Sequence, residues 1–441
     1  MGTHMEEEKN REAAPALISV HPSQNSVAVS IGSDLRVFDL HGDCVVNLVD
    51  DSGGPSHKDC IRAIRYGANG SLFVSAGDDK LVKIWSTHYW HCITTVCSEK
   101  RVSAVAISND SLYVCFADKF GVVWVVDLHG LDGSQPLINR KAAPLLAHYC
   151  SIITSLEFSP DGRVIVSADR DFKIRVTVFP KNPLDGAHEI QSFCLAHTEF
   201  VSCLAFLCSL DHPQGFLVSG SGDSTVRLWE ISAGSLLDTC DVGTKAGLLQ
   251  SDGSEEVVST VTALCTIADT TLVAVAIQSL RGIMLLSCDL SAQTLSIAKV
   301  VSNMGESFIP TSLGSSSAGL LWMVTGASNL HGFDNASLSR VKVISGLKTI
   351  NLVSVVNDTT VLDDNKIPGG VKLLEKLQGH VCVEEKVFLL AAEAVKTAMS
   401  NLLIKKQYSS EKREFRKRTR NDRKIKVSIS AAAKNRCPNN F

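Results

Sequence analysis

The chain has 441 residues, of which 45% are apolar and 20% charged, with a formal net charge of −3. That balance can fill a substantial core and excludes a disordered, fibrous or broadly cationic protein. The 14 cysteines include no CxxC pair, which excludes a zinc spacing and a small disulfide framework and reads as reduced, buried small hydrophobes.

Met1 to His4 read as a tag remnant ahead of Met5, and residues 1–12 as a flexible start with Glu6, Glu7, Glu8 and Lys9 where a signal peptide would be basic and then apolar. Val27 to Asp39 forms the first pair of alternating runs, and Asp50-Asp51-Ser52-Gly53-Gly54-Pro55 is a loop. Ser71 to Ser75, the turn Gly77-Asp78-Asp79 and Val82 to Trp85 spell strand, tight turn, strand. Leu112 to Asp127 is a weaker copy, while Val164 to Ser167 with Ile174 to Val176, and Phe216 to Ser219 with Val226 to Trp229, repeat the pattern of Ser71 to Trp85. Leu272 to Leu290 and Leu320 to Val343 are the most degenerate. The most apolar region, Leu264 to Leu290, is interrupted by Asp269, Gln278 and Arg281 and reads as strands, so no membrane-spanning segment is expected.

A repeat unites these runs. Ser75, Asp79 and Trp85 recur at identical offsets as Ser219, Asp223 and Trp229, each with an upstream histidine, His57 and His197. A third copy, His148, Ser167 and Asp171, has Thr177 in place of the tryptophan. Units of this length with a closing Trp are WD repeats, each a four-stranded antiparallel blade. The fold class expected is therefore all-β: a seven-bladed WD40 β-propeller over residues 13–358, its ring closed by a strand near Ala16 to Val20 that completes the last blade, because an open edge invites pairing with another chain. Residues 359–441 form a C-terminal extension: a helix over about 373–406, where Val387, Leu390, Ala391 and Ala394 fall at helical spacing, then a basic tail over 405–441. Between Lys405 and Lys426 there are eleven Lys/Arg against three Asp/Glu, so the rest of the chain is acidic.

Recurrence of His, Ser and Asp also suggests a hydrolase, but three copies at equivalent blade positions fit buried hydrogen-bond networks that pin a turn to its strands. The Asp-Ser-Gly-Gly-Pro loop resembles a serine-protease nucleophile loop, yet the candidate His148 follows Ser52 in the chain and belongs to a blade; the loop is also a candidate phosphorylation site. Gly220-Ser221-Gly222-Asp223 lies between two strands with no helix following to receive a phosphate. No catalytic residue, cofactor site or metal site is expected in this chain. The tail residues Lys412, Arg413, Arg416, Lys417, Arg418, Arg420, Arg423 and Lys424 suit phosphate neutralisation or nuclear import, and only Tyr408 and Phe415 interleave with them.

The run Ser167-Ala168-Asp169-Arg170-Asp171-Phe172-Lys173-Ile174-Arg175-Val176, followed by Phe179-Pro180, Ile190 to Leu195 and His197-Thr198-Glu199-Phe200-Val201-Ser202, resembles the WD-repeat non-catalytic subunit of eukaryotic tRNA (guanine-N7-)-methyltransferase. Ala117 to Gly121 and Val126-Asp127-Leu128 are similar too, and the resemblance spans about Asp59 to Glu230. It implies a nuclear, partly cytoplasmic, non-enzymatic scaffold. Such a subunit docks a separate catalytic subunit as a heterodimer, leaves S-adenosylmethionine to that partner and helps present tRNA. It also implies that Lys173 and Arg175 meet the partner, with Asp169, Arg170 and Asp171 shaping the turn beside them. Lys83 and Arg227 share the strand position of Arg175, which period-2 alternation points to solvent; Lys173 is more distinctive, its counterparts being Leu81 and Thr225. Two residues depart from the family pattern: Phe172, at a usually acidic position, and Ala196, where Gly normally precedes the His. The competing expectation is a general WD scaffold such as a ubiquitin-ligase substrate receptor, but Trp85-Ser86-Thr87 and Trp229-Glu230-Ile231 lack the Arg such receptors often carry.

Overall fold

A computed structural model describes residues 13–50, 56–130, 140–149, 151–208, 212–248, 259–278, 280–302, 308–328, 338–348 and 359–378. These residues form seven antiparallel sheets, each strand hydrogen-bonded to its sequence neighbour. From the innermost strand outward, blade 1 is Leu17–Val20, Ser26–Ile31, Asp34–Asp39 and Cys44–Val45. Blade 2 is Ile61–Tyr66, Leu72–Gly77, Leu81–Ser86 and Cys92–Cys97, and blade 3 is Val102–Ile107, Tyr113–Asp118, Val122–Asp127 and Ala143–Ala147. Blade 4 is Ile153–Phe158, Val164–Asp169, Ile174–Val178 and Ile190–Cys194, and blade 5 is Val201–Leu207, Phe216–Ser221, Thr225–Glu230 and Ser235–Asp241. Blade 6 is Val261–Thr266, Leu272–Ile277, Ile283–Asp289 and Thr294–Val301. Blade 7 is Ser312–Ser315, Leu321–Ser328, Leu338–Ser345 and Thr360–Val361.

The second strand of most blades is buried along its whole length, as in Leu272–Ile277 and Leu321–Ser328, because neighbouring blades cover both of its faces. Such strands read as continuous apolar runs, which is why blades 6 and 7 show little alternation. In blades 2 to 6 the innermost pairing slips by one residue at the same point, between Ile61/Ala63, Val102/Ala104, Ile153/Ser155, Val201/Cys203 and Val261/Ala263. The extra residue turns its side chain toward the next blade. There Ser103 donates to the Ile153 carbonyl at 2.7 Å, Thr154 to that of Val201 at 2.5 Å and Ser202 to that of Val261 at 2.5 Å. Thr311 of the last blade donates to the Ala16 carbonyl at 2.7 Å. A series of hydroxyls thus ties successive blades around the axis. The channel they surround has a volume of about 730 Å³ and is lined by the innermost strands. Arg65 of blade 2 reaches across to Glu157 of blade 4, with Nη1 donating to Oε2 at 2.8 Å.

Ring closure differs from the sequence expectation. Leu17–Val20 is the innermost strand of blade 1, and the strand that joins the last blade is the preceding Ala14–Pro15, paired with Ala327 and Ser328. One extended segment serves both blades because the last blade's own first strand, Ser312–Ser315, covers only Leu321 to Val324 of its neighbour. Blade 7 continues past residue 358 with Thr360–Val361, paired to Ile344 and Ser345. Helix Gly370–Leu377 then lays Leu373, Leu374 and Leu377 into a cluster with Phe38, Trp322, Val341 and Val343. Among the described residues no helix is long and apolar enough to cross a membrane, and every cysteine is a free thiol. The rest of the expected helix, the tail residues Lys412 to Lys424 and Ser52 lie outside the described residues.

Candidate functional site

The turns between second and third strands, and the connectors between blades, share one face of the ring, called the turn face below. In blade 2, His57 Nδ1 lies 2.8 Å from Asp79 Oδ2 and its Nε2 2.8 Å from Ser75 Oγ, to which the Trp85 indole donates at 3.0 Å. Blade 5 repeats the arrangement: His197 to Asp223 at 2.9 Å, His197 to Ser219 at 2.7 Å, and Trp229 to Ser219 at 2.8 Å. All of the Ser hydroxyls and both indoles are buried. A nucleophile needs a reachable oxygen, and these are walled in by their own blades, so the networks are structural.

In blade 4 the expected members His148 and Ser167 meet at 2.8 Å, but the carboxylate is Asp169, 2.8 Å from His148, and not Asp171. Asp169 ends its strand, two residues after Ser167. In blade 2 that place belongs to Gly77, where a Cβ would lie 2.1 Å from the Cys60 carbonyl oxygen, so the acid must come from the turn. Blade 4 has no such obstacle. Asp169 Oδ1 accepts from the Asp171 and Lys173 amides at 2.8 and 3.1 Å, leaving Oδ2 to the imidazole. Asp118 does the same in blade 3, with Trp124 in place of the histidine at 3.0 Å. Thr177, standing where blades 2 and 5 have Trp, is fully buried, and its hydroxyl has no hydrogen-bond partner among the described residues.

The electrostatics follow from these contacts. Burial alone would raise the carboxyls of Asp79, Asp169 and Asp223; hydrogen bonds from His57, His148 and His197, their charge and the turn amides outweigh it and hold each below the usual range. Burial lowers His197 below the ordinary histidine value despite its aspartate.

The residues implied to meet a partner are brought together on the blade 4 turn, in unequal roles. Asp169 is buried in the network, Arg170 and Asp171 are half-buried and lie 4.0 Å apart as an ion pair, and Lys173 is exposed. Arg175 pairs across from Ser167, as Lys83 does from Ser75 and Arg227 from Ser219. The shared position does not, however, point uniformly to solvent. Lys83 is buried against Asp50, with its ammonium 5.9 Å from the Trp85 ring centroid, and Arg227 turns back to Asp223 at 3.7 Å. A blade connector packs over the first of these side chains, which alternation within one strand does not reveal. Arg175 donates to the Ala147 carbonyl at 3.1 Å, yet its Nε is buried without a partner among the described residues, and burial lowers its pKa.

Sequence reasoning missed Asp118 and the inter-blade hydroxyls. The signal was present: Val102-Ser103, Ile153-Thr154, Val201-Ser202 and Val261-Thr262 repeat an apolar residue followed by a hydroxyl at the start of successive blades.

Seven blades and buried Ser-His-Asp networks, two of them with Trp, define a WD40 β-propeller, and a WD-domain G-beta repeat profile matches residues 52–86. The family profile described as tRNA methyltransferase TRM82 WD40 domain matches residues 134–317, so the resemblance carried by the blade 4 sequence holds. The chain is similar to the tRNA (guanine-N(7)-)-methyltransferase non-catalytic subunit wdr4 of Dictyostelium discoideum, 31% identical over 251 residues, 54% of this chain and 51% of the relative. It is 37% identical over 188 residues to that of Danio rerio, covering 42% and 41%, and 32% identical over 221 residues to that of Homo sapiens, covering 49% of each. The matches thus span about half the length of these curated relatives or less. Among solved structures, U3-55K superposes with a TM-score of 0.57 at 17% identity, over 76% of this chain and 96% of that one; it shares the fold alone.

Proposed function

We infer that this chain is the non-catalytic scaffold of a tRNA N7-guanine methyltransferase, docking a separate catalytic subunit that binds S-adenosylmethionine. The observation that carries this reading is the blade 4 turn, where exposed Lys173 stands beside half-buried Arg175. Lys173 and Arg175 set two cationic side chains on one turn, where carboxylates of a docked protein can accept from them. The names of the similar proteins agree with this role. A pre-organised β-ring offers a surface that loses little entropy on binding, and its cations set register. The tail residues Lys412 to Lys424 are assigned to tRNA phosphates in the assembled complex, which works in the nucleus.

The test is co-purification with the catalytic subunit encoded in the same genome. Replacing Lys173 and Arg175 by Glu leaves the circular dichroism spectrum of the propeller intact and abolishes recovery of the partner; unchanged recovery rejects the site. In the intact complex, neutralising Lys412 to Lys424 weakens tRNA binding and flattens its salt dependence, and an unaltered salt slope rejects the tail assignment.

A further inference from the structure

Large apolar side chains on the turn face are exposed along one strip: Phe120 (55% exposed), Tyr149 (96%) and Phe172 (38%). Backbone hydrogen bonds join the segments that carry them. The Lys119 amide donates to the Arg101 carbonyl at 2.9 Å, that of His148 to Gly121 at 2.7 Å and that of Arg170 to Ile152 at 2.9 Å. These bonds place the three side chains on adjoining segments of the turn face, between the connector before blade 3 and the blade 4 turn. Cations interleave with them: Lys100 Nζ is 5.4 Å from the Phe120 ring centroid, and Lys119 and Lys173 are exposed neighbours of Phe120 and Phe172.

Phe172 is the unusual member. Its φ is +69°, and the corresponding positions of blades 2, 3 and 5 are Lys80 (+66°), Gly121 (+86°) and Ser224 (+64°). The turn demands a left-handed residue, which glycine or a slim side chain supplies at small cost and a bulky aromatic does not. Phe172 combines that strain with an exposed ring, two unfavourable features at one residue that the fold itself has no need of. Retained strain of this kind collects at sites of use.

We propose that Phe172, flanked by Tyr149 and Phe120, is the apolar anchor by which the turn face seats the catalytic subunit, entering a pocket on that protein rimmed by carboxylates. This rests on the function proposed above and adds the anchoring residue and the chemistry of its receptor. Exposed aromatics with lysines as neighbours match the usual anatomy of a binding hot spot, in which the ring is desolvated at the centre and charge at the rim sets orientation.

Two variants test it by calorimetric titration with the purified catalytic subunit. Phe172→Gly suits the left-handed turn, so the isolated propeller melts at the same or a higher temperature while Kd rises about tenfold or more. Tyr149→Ala, at a side chain that is almost wholly exposed, leaves melting unchanged and weakens binding several-fold. Wild-type affinity in both variants, or a loss confined to tRNA binding by the isolated chain, overturns the anchor. Failure of the wild-type chain to bind the subunit overturns instead the function on which the anchor rests.

Discussion

Replacing Asp169 by Ala tests whether the blade 4 turn is held by this residue and not by Asp171. The substitution removes an acceptor 2.8 Å from His148 and the cap on two turn amides, those of Asp171 and Lys173. A hydrogen bond to a charged partner contributes roughly 1.5–3 kcal/mol, and the loss of a side-chain cap costs about 1 kcal/mol. The expected loss is therefore about 3 kcal/mol. With roughly 2 cal/mol/K of unfolding entropy per residue and on the order of 300 residues in the propeller, melting falls by about 5 °C. Asp171→Ala removes an ion pair at 4.0 Å between half-buried side chains, a contact worth at most about 1 kcal/mol. Urea unfolding and differential scanning calorimetry of both variants decide the matter. Equal losses, or a larger one for Asp171→Ala, refute the assignment of Asp169 to the network.

Acidification should weaken the propeller in two stages. His197 has a folded pKa below its ordinary value, so its contribution is present above about pH 6.5 and is lost as pH falls through that region; Asp79, Asp169 and Asp223 are likewise lowered, and theirs is lost below about pH 4. Melting temperatures should decline from pH 7.5 to 5 and steeply beyond; a flat profile over the upper range rejects the His197 contribution. Thr177→Val removes a buried hydroxyl that has no partner among the described residues and should stabilise by about 1 kcal/mol in urea titrations, whereas a destabilised variant would mean that the hydroxyl is hydrogen-bonded in solution.

Blades 2, 4 and 5 were legible because His, Ser, Asp and Trp impose fixed offsets on a strand-turn-strand unit. The count of seven was legible because apolar runs continued at that spacing after the signature residues had gone. What sequence concealed was determined by contacts between units. Asp169 and Asp171 are equally acidic and two residues apart, and only the folded turn, in which Asp169 caps two amides and meets the imidazole, selects between them. Lys83 and Arg175 share a register, yet Asp50 arrives from a distant connector to bury one and not the other. The closing strand was placed a few residues late because Ala14–Pro15 and Leu17–Val20 form one extended run divided between two sheets.

The seam of the ring joins Ala16 to Thr311 across 295 positions, and the helix at 370–377 packs into the same apolar cluster as Ile18 and Trp322. A ribosome making this protein releases the earliest strand long before its mate exists. Six nascent sheets must stand as an unfinished arc, with raw borders at both ends, until the latest blade emerges. Completion thus waits on the synthesis of blade 7, when a shielding chaperone would be of greatest use.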